Sequence, residues 1–234
     1  MIYVSSDLHG CPVEKFEQLL QQASFGKDDF LFILGDVIDR GQHGVALLRW
    51  IAEQPNVQLI LGNHEAMLLS CQFLFDEITQ DTLAKLTTRR LKLVDTWLRN
   101  GGSPTLNSLQ RLLKDEPEIF RGILELLQDA PFYDTVEAGG KHFLLVHSGL
   151  NHFSPDKPLD DYTLHDLLWT RPTPQDRYYE DRTVIFGHTP TEFLDPAYRG
   201  RAYRTDTWIC IDSGAATGGF PMLLRLDDGA EFYL

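Results

Sequence analysis

Cysteine is scarce in this chain: only Cys11, Cys71 and Cys210 are present, far apart and without a CxxC pair. Three scattered cysteines do not build a disulfide framework or a thiolate zinc cluster, and they fit a reducing compartment. The sequence also has no apolar run long enough to cross a membrane, and its start lacks the features of a signal peptide. We therefore expect a cytoplasmic protein with no membrane partner.

Positive charge is also in short supply. The 21 lysines and arginines are outnumbered by 34 aspartates and glutamates, which gives a formal net charge of -13. Broad nucleic-acid binding needs a cationic surface that displaces counterions, so we expect no nucleic-acid partner. A phosphorylated protein or small molecule remains a suitable substrate, because a few arginines and metal ions can outweigh the overall field locally. The sequence predicts no particular oligomeric state.

The first 65 residues alternate between strand and helix patterns. Short apolar runs over Ile2–Ser5, Phe30–Leu34 and Val57–Leu61 read as strands. Apolar residues at helical spacing over Pro12–Ala23 and Gly44–Ala52 predict the helices between them. Three strand–loop–helix units in succession indicate an α/β layered fold that begins with a largely parallel sheet.

The rest of the chain divides into a helical and a strand-rich part. Residues 65–129 carry helical apolar spacing, which predicts a helical insertion. From Pro131 onward the strand signal returns, with a glycine-centred hairpin at Ala138-Gly139-Gly140. Hydrophobic residues make up 43% of the chain, enough for one sizeable core. We expect a single domain over residues 1–234, with 65–129 inserted in it.

Five short motifs each follow a predicted strand. Loops that leave the carboxyl ends of strands build the active sites of α/β proteins. Taken one at a time, the motifs also fit turns, helix caps or structural histidines. Together they place aspartate, histidine and asparagine ligands for two divalent metals at separate strand ends. The motifs are Asp7-Leu8-His9-Gly10, Gly35-Asp36-Val37-Ile38-Asp39-Arg40-Gly41, Gly62-Asn63-His64-Glu65, His147-Ser148-Gly149 and Gly187-His188-Thr189-Pro190.

This ordered series resembles the calcineurin-like metallophosphoesterases, and within them the phosphoprotein phosphatase family, in particular its bacterial and phage members. The resemblance implies a four-layer α/β (α+β) fold in which a central β-sandwich is flanked by helices. It also implies a two-metal centre holding manganese, with iron or zinc as alternatives. The ligands implied for the two metals are Asp7, His9, Asp36 as the bridge, Asn63, His147 and His188.

The same resemblance implies catalytic and substrate-binding residues. His64 would protonate the leaving oxygen and Asp39 would orient it, while Arg40 would hold the phosphoryl oxygens. Arg171, in Trp169-Thr170-Arg171-Pro172, falls where the family places a second phosphate-binding arginine. We therefore expect a phosphomonoester hydrolase, and our preferred prediction is a serine/threonine protein phosphatase.

Three alternatives remain. Symmetrical diadenosine tetraphosphate hydrolases of the same family often carry an aliphatic residue at the position of Leu61, where many protein phosphatases have arginine, although Asp39 favours the phosphatases. The nuclease and cyclic-nucleotide phosphodiesterase branch typically has a second histidine at the position of Pro190, as an added metal ligand. Because proline stands there and the chain is acidic, this branch is disfavoured. A binding module that has lost catalysis is disfavoured, because every implied ligand is present.

Overall fold

Ten strands form two five-stranded sheets in the computed structural model, which describes residues 1–234. The strands are β1 Ile2–Ser5, β2 Phe30–Ile33, β3 Val57–Leu59, β4 Tyr133–Ala138, β5 Lys141–Val146, β6 Thr183–Phe186, β7 Tyr203–Arg204, β8 Trp208–Cys210, β9 Leu223–Arg225 and β10 Glu231–Phe232. The helices are α1 Val13–Gln22, α2 Gly44–Glu53, α3 Asn63–Ser70, α4 Gln80–Ala84, α5 Thr88–Arg99, α6 Ser103–Asp115, α7 Pro117–Asp129, α8 Leu164–Leu168 and α9 Thr191–Leu194. None of these helices is both long enough and apolar enough to cross a membrane.

Both sheets are mixed and have a parallel centre. The first sheet has the order β10-β9-β1-β2-β3, in which β1, β2 and β3 are parallel as predicted. The second has the order β4-β5-β6-β8-β7, in which β5, β6 and β8 are parallel. The predicted hairpin joins β4 to β5 through Gly139 and Gly140, whose φ values of 56° and 72° suit a tight two-residue turn.

Alternating side chains divide the core into layers. Phe32 on β2 points towards the second sheet and meets Leu145 of β5, while Ile33 points towards the helices. On β5, Leu144 faces the opposite side and packs under Tyr178 and its surrounding loops. Because successive strand residues face opposite sides, the two sheets pack face to face. Helices cover the first sheet, and α8 with long loops covers the second, which confirms the predicted fold class.

The helical segment shares its core with the first sheet. Trp97 of α5, Leu109 of α6 and Ile123 of α7 are buried in the same cluster as Leu31 and Ile33 of β2. That segment contains five helices and begins at Asn63, two residues earlier than predicted. Its status as an insertion within one domain stays a prediction. The two-residue strands β7 and β10 and the four-residue α9 were not predicted, since such short elements carry too little periodicity.

Candidate active site

The five motifs lie together in the fold, at the carboxyl ends of strands from both sheets. Asp7 follows β1 and Asp36 follows β2, while Asn63 begins α3 after β3. His147 and His188 come from the second sheet, directly after β5 and close behind β6. All five side chains are at least nine-tenths buried. Parallel strands that end at the same edge therefore bring distant parts of the sequence to one place.

Backbone strain is concentrated at this place. Eight residues other than glycine have positive φ, a conformation that side chains with a Cβ rarely adopt. Six of these eight are residues that the sequence analysis singled out: Asp7, His9, Asp36, Asp39, Arg40 and His188. Such strain persists only where the surrounding structure imposes it, and it clusters at functional sites.

Two glycines allow the loops to approach the carboxylates. A Cβ on Gly62 would overlap the backbone and carboxylate of Asp36, and a Cβ on Gly187 would overlap the carboxylate of Asp7. The backbone N–H of His188 donates to Asp7 Oδ2 at 2.9 Å, and that of His64 donates to Asp36 Oδ1 at 3.0 Å. These contacts fix the orientation of both carboxylates towards the centre of the site.

Asp36 lies at the middle of the ligand groups. Its oxygens are 3.6 Å from His9 Nε2 and 3.4 Å from His147 Nε2. One group of side chains that could hold a metal ion is formed by His9, Asp36 and His64, and a second by Asp36, His147 and His188. The structure thus brings the six predicted ligands together, with Asp36 shared between two groups.

The protonation of the rings shows that these residues fit metal ions. His9 Nδ1 is 3.1 Å from the carbonyl oxygen of Ile38, and His147 Nδ1 is 2.7 Å from that of Leu34. A carbonyl oxygen only accepts, so Nδ1 of each ring carries the hydrogen. The lone pair of His9 Nε2 then faces Asp36, and that of His147 Nε2 faces Asp36 and, at 2.8 Å, Asn63 Oδ1. A cation between these acceptors would satisfy them together. Asp7 Oδ1 and His188 Nε2 are also buried without a hydrogen-bond partner.

The charge balance of the site also calls for cations. Burial lowers the pKa of His147 to about 3 and that of His188 to about 2, so both rings are neutral at pH 7, the form in which a histidine can bind a metal. Burial, followed by repulsion from neighbouring carboxylates, raises the pKa of Asp7 and Asp36 well above their usual range. Two divalent ions would offset both the desolvation and the repulsion of these carboxylates.

His64 stands opposite the second-sheet ligands and forms a dyad with Asp39. Its Nδ1 is 2.7 Å from Asp39 Oδ2, and both side chains are fully or almost fully buried. Its Nε2 points towards the centre of the site, 3.8 Å from Asp36 Oδ2 and 3.4 Å from the guanidinium of Arg40. The ring can therefore either carry a proton towards a bound substrate or join the ligand set.

The helical segment holds this dyad in place, a role that the sequence did not indicate. The indole N–H of Trp97 donates to Asp39 Oδ2 at 2.8 Å, and the hydroxyl of Thr105 donates to Asp39 Oδ1 at 2.6 Å. The backbone N–H of Arg40 donates to the carbonyl oxygen of Gly101 at 2.9 Å. Both Trp97 and Thr105 are buried. Hydrogen bonds with the helical segment thus fix the positions of Asp39 and Arg40.

The two arginines lie next to different residues of the site. The exposed Arg40 lies beside His64, and the guanidinium of Arg171 lies 3.4 Å from the carbonyl oxygen of His188 and 3.3 Å from Thr189 Oγ1. Two cationic forks beside a cluster of acidic and histidine side chains suit a polyanionic substrate.

Two further carboxylates lie buried at the site, and the sequence analysis assigned a role to neither. Glu65 accepts the backbone N–H groups of Asp36 and Val37, both at 2.8 Å, and so ties the loop after β2 to α3. Asp212 is buried close behind β8, where burial raises its pKa to about 6, and it repels Asp7. The signal for Asp212 was present, because Asp212-Ser213-Gly214 follows the short apolar run Trp208–Ile211 just as the other motifs follow theirs.

Comparison with known proteins agrees with this geometry. The model of the calcineurin-like phosphoesterase family matches residues 1–210. The chain therefore belongs to the calcineurin-like phosphoesterases, and it is a hydrolase of that metal-dependent family.

Curated relatives bear on the substrate. A symmetrical bis(5'-nucleosyl)-tetraphosphatase of Haemophilus ducreyi is 31% identical over 195 residues, covering 82% of this chain and 60% of the relative. A protein of the same name from Acidovorax ebreus is 32% identical over 153 residues, covering 64% of this chain and 44% of the relative. The chain thus spans at most about 60% of the length of these two relatives.

Solved structures support the fold. A proposed diadenosine tetraphosphatase superposes with a TM-score of 0.63 at 20% identity, covering 100% of this chain and 92% of the other. A cold-active protein tyrosine phosphatase superposes with a TM-score of 0.55 at 16% identity, covering 100% of this chain and 78% of the other. At these identities the likeness concerns the fold alone.

Proposed function

We propose that this protein hydrolyses dinucleoside 5',5'-tetraphosphates symmetrically, giving two nucleoside diphosphates. The observation that carries the proposal is the 31% identity, over 82% of this chain, to a symmetrical bis(5'-nucleosyl)-tetraphosphatase. The serine/threonine protein phosphatase, our first expectation from the sequence, becomes the second candidate. Both activities hydrolyse a phosphorus–oxygen bond and draw on the same cluster of ligands.

The position of Leu61 favours the same choice. Leu61 is buried, and its backbone N–H donates to the carbonyl oxygen of Pro131 at 2.8 Å. The arginine that many protein phosphatases carry there would add a third guanidinium to Arg40 and Arg171, two residues before Asn63. This chain has leucine there, and it retains Arg40 beside His64 and Arg171 beside His188. Two such groups suit an extended phosphate chain with charge on both sides of the reacting phosphorus.

The ligand cluster would hold two divalent cations, for which manganese is our first choice. Asp7 and His9 would hold the first and Asn63, His147 and His188 the second, with Asp36 shared between them. The cations would supply Lewis acidity, lowering the pKa of the attacking water and neutralising phosphoryl charge. Glu65 keeps the loop of Asp36 rigid, so the ligands need little rearrangement on binding.

The remaining residues bind the substrate and move one proton. Arg40 and Arg171 would bind phosphate oxygens on the two sides of the reacting β-phosphorus. As the bond from that phosphorus to the central bridging oxygen breaks, the departing nucleoside diphosphate gains negative charge. His64 Nε2 would donate a proton to that oxygen, and Asp39 would hold the ring through Nδ1. No covalent enzyme intermediate is required.

A substrate comparison tests the proposal. Purified protein loaded with manganese is assayed on diadenosine tetraphosphate and on a panel of phosphoserine and phosphothreonine peptides. We expect a clear preference in kcat/KM for the dinucleotide, with ADP as the sole nucleotide product. Preference for the peptides would overturn the proposal in favour of a protein phosphatase, and a mixture of ATP and AMP would contradict symmetrical cleavage.

Replacement of Arg40 by alanine tests its contact with phosphate. Hydrogen bonds to charged groups are worth about 1.5–3 kcal/mol, so we expect KM for the dinucleotide and Ki for inorganic phosphate to rise together, roughly 10- to 100-fold. The matched control is Arg99→Ala, since the Arg99 side chain is exposed and pairs only with Asp95 on its own helix. If Ki for phosphate stays at the wild-type value, Arg40 does not bind the phosphoryl group.

Replacement of Trp97 by phenylalanine tests the support of the dyad. The change keeps most of the buried ring but removes the N–H that donates to Asp39. We expect kcat to fall about tenfold with little change in KM, because one hydrogen bond to a carboxylate is lost. The fall should be larger for phenyl phosphate than for p-nitrophenyl phosphate, since phenolate is the more basic leaving group.

A purely structural role of Trp97 would lower both activities equally. Trp208→Phe is the matched control, because it also removes a buried indole N–H, here one that donates to the carbonyl oxygen of Asp176 at 3.0 Å. The control should leave the ratio of the two activities at its wild-type value.

A further inference from the structure

A cleft of about 480 Å³ lies next to His188, and the mechanism above uses only Arg171 of its lining. The lining includes Trp169, Arg171, Arg177, Tyr178, His165 and Asp176. The ring centroid of Trp169 is 6.1 Å from that of His188, and Arg171 contacts the backbone of the same histidine. The cleft therefore adjoins the cluster at His188, and its volume is within the range of small-molecule sites.

The walls of the cleft are held rigidly by the second sheet. The hydroxyl of the buried Tyr178 accepts the backbone N–H of Leu150 at 3.0 Å, next to the His147 motif. The indole N–H of Trp208 on β8 donates to the carbonyl oxygen of Asp176 at 3.0 Å. The loop between α8 and β6 is thus anchored at several points, so the cleft exists before any ligand binds.

The chemistry of the lining selects the ligand. Trp169 packs edge-on against the His188 ring and leaves 37% of its surface exposed at the wall of the cleft, where a planar group can stack on it. Arg171 lines the cleft with Trp169 and contacts His188, and Arg177, which lies 3.5 Å from Asp206, adds a second guanidinium. An aromatic face flanked by two cations fits a planar base that is joined to phosphate through a sugar.

We propose that this cleft is a nucleoside subsite, in which a purine base of the substrate stacks on Trp169 and the adjoining phosphate contacts Arg171. This inference rests on the proposed function and specifies how the same site would recognise a nucleotide. In a dinucleoside tetraphosphate, one further phosphate and a ribose separate each β-phosphorus from its base. A base beside His188 is therefore within reach of a β-phosphorus at the ligand cluster.

The test compares Trp169→Ala and Trp169→Phe with wild-type, manganese-loaded enzyme. KM is measured for diadenosine tetraphosphate, Ki for ADP, and kcat/KM for p-nitrophenyl phosphate, which carries no base. Loss of a base–aromatic stack is expected to raise KM and Ki about tenfold or more in the alanine variant. Its preference for the dinucleotide over p-nitrophenyl phosphate should fall by the same factor. Phenylalanine should restore most of the affinity, because it also presents an aromatic face.

The matched control is Tyr198→Ala, which removes an aromatic side chain of 38% exposure that lies outside the cleft. It should leave Ki for ADP at the wild-type value. An unchanged Ki for ADP in Trp169→Ala would overturn the subsite, as would an equal loss on p-nitrophenyl phosphate.

The two proposals fail separately. If wild-type enzyme does not cleave diadenosine tetraphosphate but Trp169→Ala still weakens ADP binding, the nucleoside subsite stands and the proposed substrate is wrong. If the dinucleotide is cleaved and Trp169→Ala binds ADP normally, the proposed function stands and the subsite is wrong.

Discussion

Asp36→Asn is expected to lower kcat/KM for the dinucleotide by more than about 100-fold. Replacing a group that merely supports a metal ligand typically costs 10- to 100-fold, and Asp36 is itself shared by both ligand groups. Asparagine keeps an oxygen that can accept the N–H of His64, so the backbone around the site should persist. What is lost is the negative charge between the two metal positions.

Thermal unfolding separates the loss of metal binding from a loss of folding. Without metal, the buried charge of Asp36 is repelled by Asp7 and Glu65, so the asparagine variant should be at least as stable as the wild type. Added MnCl₂ should raise the Tm of the wild type and raise that of the variant much less, since stabilisation by a bound metal grows with the logarithm of its concentration relative to Kd. The exposed Asp156→Asn serves as the control and should respond to manganese as the wild type does. A variant with normal manganese response and most of its activity would contradict the bridging role.

His64→Asn is expected to lower kcat by about 10²- to 10⁴-fold while the metal content stays at the wild-type level. That range is the usual contribution of a positioned general acid or base. The loss should be largest for phenyl phosphate and smallest for p-nitrophenyl phosphate, because a weakly basic leaving oxygen needs little protonation. Both activities are measured on the same preparation, together with its metal content.

The outcome of that experiment distinguishes two roles that the geometry allows. His64 groups with His9 and Asp36 among the side chains that could hold a metal, and it also forms the dyad with Asp39. If the variant loses a metal ion, and kcat falls equally for phenyl phosphate and p-nitrophenyl phosphate, His64 is a metal ligand and not the general acid. His142→Asn is the control, since His142 is exposed near the amino end of β5, remote from His147 at the other end.

Much of the fold could be read from local patterns. The strands β1, β2 and β3 are short apolar runs, and α1 buries Phe16, Leu19 and Leu20 at helical spacing. These signals arise within about ten neighbouring residues, which is the range over which side-chain periodicity acts. The order of the strands in each sheet and the packing of the two sheets depend on contacts between distant segments. Local patterns do not reveal such contacts, and the β-sandwich was expected only from the resemblance to a known family.

The sequence by itself determined which residues come to the site, because each motif directly follows a strand and parallel strands end at a common edge. Only the tertiary structure decided what surrounds them. Trp97 and Thr105 reach Asp39 from 58 and 66 residues away, and the cleft at Trp169 depends on a loop anchored to β8. Such contacts leave no periodic trace in the chain, since they depend on how separate elements pack and not on the spacing of neighbouring residues.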